Sequence, residues 1–74
     1  MAVIREFEPK DLDRIATHSE VKATVSLVEC DGEKFVQIDT YGSKDRAIPD
    51  KISQSVRLTK SAFEQLSQYA AKHF

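Results

Sequence analysis

VKATVSLVECDGEKFVQIDTY, residues 21–41, consists of two alternating runs joined at Asp31-Gly32. Asp-Gly between alternating runs predicts a β-hairpin, because a type I′ turn needs positive φ at both central residues. A two-residue loop sets the pairing at once. Cys30 faces Glu33, Glu29 faces Lys34, Val28 faces Phe35, Leu27 faces Val36, Ser26 faces Gln37 and Val25 faces Ile38. The two faces then differ in character. Ala23, Val25 and Leu27 share one with Val36, Ile38 and Thr40, which marks it as the core face. Lys22, Thr24, Ser26, Val28, Cys30, Phe35, Gln37, Asp39 and Tyr41 share the other, which is polar but carries two rings. A slip of one residue would exchange the faces, so agreement between both strands supports the register.

Downstream, Ile52, Gln54, Val56 and Leu58 alternate with Ser53, Ser55 and Arg57, predicting a strand over Ile52–Leu58. Val56 and Leu58 join the core face, and Ser53, Ser55 and Arg57 the open one. Thr59 is placed to cap a helix, with Leu58 and Phe63 at the spacing of a hydrophobic staple. Ala62, Phe63, Leu66, Tyr69, Ala70, His73 and Phe74 recur at steps of three and four, an amphipathic stripe over residues 60–73. This helix is expected to lie across the core face. Its surplus apolar residues Phe63, Leu66, Tyr69, Ala70, His73 and Phe74 are expected to form a dimer seam.

Upstream, Ala2–Phe7 suits a short strand able to add an edge to the sheet. Pro9–Ala16 reads either as a short helix, with Leu12, Ile15 and Ala16 at helical spacing, or as an irregular arm. Residues 42–53 read as a charged loop, long enough to be functional. The sum is one α+β domain over residues 1–74: an N-terminal strand or arm to residue 20, a small antiparallel sheet of three to four strands, and a C-terminal amphipathic helix packed on one face.

With 74 residues, the chain buries only roughly 60% of its unfolded surface, so dimerisation is the expected reinforcement. One cysteine forms no internal disulfide and suits a reducing, cytoplasmic setting. Cys30, His18 and His73 lack metal-site spacing, so no metal or cofactor is expected. There is no secretory h-region and no run of membrane-spanning length. A Cys30–His18 nucleophile is not expected, since Val21–Cys30 extended separates them by roughly 30 Å. Both glycines lie outside strand-to-helix junctions, which excludes a phosphate-cradling loop. No enclosed acid/base pair is expected in so small a domain, and the chain is read as no enzyme.

Net charge is −1, but its distribution is uneven. Residues 1–33 carry four Lys/Arg against eight acids, and residues 34–60 carry six against three. That is either ordinary surface charge or a local field for an anionic ligand. Phe35, Tyr41, Gln37, Lys22 and Arg57 on the open face, bordered by Lys44, Arg46 and Lys51, suit single-stranded nucleic acid, with bases on the rings and cations along the phosphates.

Glu33-Lys34-Phe35-Val36-Gln37-Ile38-Asp39, and the run from Ile48 to Thr59 that leads into the helix, resemble the second strand and the basic turn and last strand of the transcriptional coactivator positive cofactor four family, with its short bacterial homologues. The likeness covers residues 21–74. It implies a helix-mediated homodimer binding single-stranded DNA, with Lys44, Arg46, Lys51 and Arg57 on phosphates and Phe35 and Tyr41 stacking. The other reading is a small protein-interaction module, an accessory subunit or inhibitor of a larger enzyme, docking through Glu6, Glu8, Asp11, Asp13 and Glu20.

Overall fold

The computed structural model describes residues 1–42 and 51–74. In chain order it contains β1 (Ala2–Ile4), β2 (Ala23–Cys30), β3 (Glu33–Tyr41), β4 (Ile52–Leu58) and α1 (Lys60–His73). The strands form one mixed sheet in the order β1-β4-β3-β2, and α1 packs against β3 and β4. The fold is α+β, as expected.

The hairpin has the register that Asp31-Gly32 demands. Cys30 pairs with Glu33 and Ala23 with Thr40, and every pair between them is in step. Asp31 (φ 52°) and Gly32 (φ 79°) both lie in the left-handed region that a type I′ turn needs. β3 pairs antiparallel with β4, from Val36 opposite Leu58 to Thr40 opposite Gln54. A bulge follows, setting Ile52 rather than Ser53 opposite Tyr41. β1 lies parallel to β4, Ala2 against Val56 and Ile4 against Leu58, so the N-terminal edge strand is present but stops at Ile4.

No helix forms over Pro9–Ala16: residues 6–22 have no regular structure, and Leu12 and Ile15 are exposed. An eight-residue helix is marginal without a surface to bury its apolar side, and nothing in the fold covers these two. Instead the start of this arm is tied to α1. The Phe7 N–H donates to Gln65 Oε1 at 2.6 Å, and Gln65 Nε2 donates to the Phe7 carbonyl at 3.0 Å. The Gln65 amide thus acts as one more residue of strand. Ser61 Oγ donates to the Arg5 carbonyl, and the Thr59 N–H to that of Ile4.

α1 begins as the capping residue predicts: Thr59 Oγ1 accepts from the Ala62 N–H at 3.2 Å, and Lys72 and His73 occupy the last turn. The core is thin. Phe35, Leu58 and Ala62 are its buried apolar members among the described residues, and no large side chain is fully enclosed. α1 does not cover the whole core face, since Val25 and Leu27 on β2 remain 66% and 85% exposed. Leu27, Val28, Phe35, Val36, Leu58 and Phe63 line an open groove between the hairpin end of the sheet and the start of α1.

Arg5 closes the structure at the hairpin end. Its Nη1 and Nη2 donate to Glu33 Oε2 and Oε1 at 2.8 and 3.0 Å, a bidentate pair between residues 28 apart. These hydrogen bonds, with the nearby positive charge, hold the Glu33 carboxyl below the usual carboxylate range. A lowered folded value means the pair stabilises the fold above the carboxyl's ordinary pKa. That contribution is lost as pH falls through the lowered value.

Two outcomes are expected. In urea titrations across pH, wild type should exceed Glu33→Gln in stability at neutral pH and converge with it in acid. Thr59→Ala should cost about 1 kcal/mol at any pH, through loss of the cap.

Candidate nucleic-acid interface

The alternation of β2, β3 and β4 puts Thr24, Ser26, Val28, Phe35, Gln37, Asp39, Ser55 and Arg57 on one face, opposite to that of Val25, Leu27, Val36 and Ile38. Cross-strand pairing arranges them in rows. Ser26, Gln37 and Arg57 form one row, and Thr24, Asp39 and Ser55 the next.

The rows are stitched by side-chain hydrogen bonds. Arg57 Nε donates to Gln37 Oε1 at 2.8 Å. Gln37 Nε2 turns the other way, to Asp39 Oδ1 and Oδ2 at 3.1 and 3.2 Å. Ser55 Oγ donates to the same carboxylate. Asp39 is only 6% exposed, so its charge sits behind its donors. Thr24 Oγ1 and the Tyr41 hydroxyl lie 3.1 Å apart, and the Tyr41 N–H donates to the Lys22 carbonyl.

Phe35 differs from its expected role. It is 9% exposed, and the Arg57 guanidinium lies over it with Cζ 6.0 Å from the ring centroid. A cation over a ring at this distance gains about 0.5–1 kcal/mol at a partly exposed site. Phe35 is therefore a buried support rather than an open stacking ring. It lines the same groove as Leu58 and Phe63, so it packs with the start of α1 rather than standing open.

Of the other expected contacts, Gln37, Tyr41 and Arg57 are half-buried on this face, and Lys22 and Lys51 are exposed at its borders. Lys44 and Arg46 lie outside the described residues. The seam residues Phe63, Leu66 and Tyr69 are 49%, 40% and 41% exposed, and Phe74 is 99% exposed. Ala70 is half-buried, and the exposed His73 ring meets Phe74 edge-on at 5.4 Å. Leu66 and Tyr69 border the arm at Phe7–Asp11, so part of the stripe expected to form a seam faces the chain's own N-terminal third.

Asp39, the centre of the network, was not among the expected contacts. Its place beside Gln37 is readable from alternation, but its meeting with Ser55 depends on the β3–β4 register. Among the described residues, no group of three or more His, Cys, Asp or Glu is arranged to hold a metal ion. No described helix is long and apolar enough to cross a membrane. No family model, curated protein or solved structure matches the chain.

The buried position of Phe35 has a measurable consequence. Phe35→Ala should cost about 3 kcal/mol or more in denaturant unfolding, as for other deeply packed rings. Phe35→Leu should cost much less, which an exposed stacking ring would not distinguish.

Proposed function

We propose that the β2–β3–β4 face bearing Arg57 binds single-stranded nucleic acid without catalysis, with DNA favoured by the family resemblance. The observation that carries this reading is the Arg57 guanidinium, held over the Phe35 ring and hydrogen-bonded to Gln37. A guanidinium plane is a stacking surface for an unpaired base and a forked donor for phosphate. Here its orientation is set before any ligand arrives, which lowers the ordering cost of binding. Tyr41 supplies a ring on the same face, and Lys22 and Lys51 flank it to follow the backbone. Sequestration of Asp39 lets the face present its cation rather than its acid. Lys44 and Arg46 would extend the phosphate track.

In this reading Phe35 acts through Arg57. A base stacked on the guanidinium contributes on the order of 1–3 kcal/mol. Titration of the full chain with a labelled oligothymidine at two salt concentrations tests the proposal. Binding should weaken with salt, with a logarithmic slope of roughly −2 for three phosphates on a single strand. Arg57→Ala should weaken it about tenfold or more. Arg57→Lys, which keeps charge but loses the plane, should not restore it. Absence of binding at low salt and high micromolar protein would end this reading.

A further inference from the structure

We infer that a second copy of this chain pairs antiparallel along the outer edge of β2, about a two-fold axis through Ser26, extending each sheet into its partner's. β2 is the terminal strand of the sheet, and its eight residues contain no proline, lysine or bulge. Those are devices by which exposed edges are kept from pairing, and the one charged residue of β2, Glu29, stands next to its hairpin end. The opposite edge, β1, has three residues.

The backbone bonding pattern selects the register. The Tyr41 N–H donates to the Lys22 carbonyl, and hydrogen-bonded pairs alternate along an antiparallel ladder. Thr24, Ser26, Val28 and Cys30 therefore bond inward to β3. Ala23, Val25, Leu27 and Glu29 turn their N–H and C=O groups outward. An axis through Ser26 matches every outward residue with an outward mate: Ala23 with the second copy's Glu29, and Val25 with the second copy's Leu27. Moving the axis to Val25 or to Leu27 strands one outward residue at an end. The Leu27 axis also sets Glu29 against Val25.

Side chains agree with the same register. Val25 and Leu27, 66% and 85% exposed, become cross-strand apolar neighbours on one face. The antiparallel sense brings Lys22 at one end of the strand toward the acidic hairpin end, Glu29 and Asp31, of the other copy. A parallel arrangement would bring like charges together. The C-terminal stripe is the less complete alternative, since the arm at Phe7–Asp11 already borders Leu66 and Tyr69.

The axis has a consequence for the opposite face. Ser26 pairs with Gln37, and Gln37 with Arg57. The dimer therefore carries one unbroken row, from Arg57 through Gln37 and Ser26 to the same residues of the second copy in reverse. Five strand spacings of about 4.8 Å put the backbones of the two Arg57 residues about 24 Å apart, with each guanidinium leaning inward over its own β3. Use of that row by a nucleic acid rests on the function proposed above, whereas the strand pairing does not.

A short strand pair buries less than the roughly 800 Å² per partner of a standard interface, so association is expected in the micromolar range. Sedimentation of the full chain from about 10 to 200 μM should show a monomer–dimer equilibrium. Val25→Pro removes an outward N–H and leaves the bonds to β3, so it should stay folded by circular dichroism and raise the dissociation constant at least tenfold. Leu27→Lys, a charged edge residue on an exposed site, should do the same. In a Cys30→Ser background, Ser26→Cys should cross-link to a covalent dimer on oxidation, because facing residues of a non-hydrogen-bonded pair lie within disulfide reach.

A chain that is monomeric at every concentration would overturn the inference. So would a dimer that survives both Val25→Pro and Leu27→Lys. Oligothymidine binding by a strictly monomeric chain would leave the nucleic-acid reading standing alone. A dimer that binds no oligonucleotide would leave the strand pairing standing alone.

Discussion

The Asp31-Gly32 turn constrains more of this molecule than any other feature. Two successive residues at positive φ close the hairpin with a two-residue loop, and only one pairing of β2 with β3 is then possible. That pairing sets side-chain parity across the sheet. It puts Val25, Leu27, Val36 and Ile38 on one face, and Ser26, Phe35, Gln37 and Asp39 on the other. Arg57 can lie over Phe35 and bond Gln37 only because β4 joins the same parity. A one-residue slip would carry Phe35 to the face of Val25 and Leu27 and leave the guanidinium without its support.

Stability in so short a chain is spread over both faces of the sheet. Leu58 and Ala62 are buried where α1 begins, and Phe35, of the opposite parity to Leu58, is buried beside the same groove with Arg57 over its ring. The mixed sheet supplies the framework. Long-range polar ties then fasten its margins, Arg5 to Glu33 and Gln65 to Phe7. What this economy leaves uncovered is the β2 side of the apolar face, on the strand that ends the sheet among the described residues. Exposed edge and exposed apolar residues coincide in one place, which is why a second copy of the chain is the occupant the geometry favours.

The polar face is ordered from within. Gln37 relays between a cation and an acid, its oxygen accepting from Arg57 and its nitrogen donating to Asp39. Ser55 completes the enclosure of the carboxylate. An acid in the middle of a face would ordinarily repel phosphate, but buried behind its donors it orients Gln37, and through it Arg57. The proposed binding chemistry therefore depends on residues that would never touch a ligand.

Much of the architecture is local and so was legible in the residues themselves. The hairpin register, the alternation of Ile52–Leu58 and the capped period of Lys60–His73 each arise from neighbours a few positions apart, and the structure reproduces all three. The amphipathic spacing in Pro9–Ala16 was equally local but failed, because a short helix needs a surface to bury and none was supplied. The β3–β4 register, the bulge at Thr40/Tyr41 and the parallel docking of β1 were decided only on folding. So were the burial of Phe35 and the pairing of Arg5 with Glu33. These join residues separated by long connections, where no turn geometry constrains which positions meet. Packing of the whole chain selects the partner in each case.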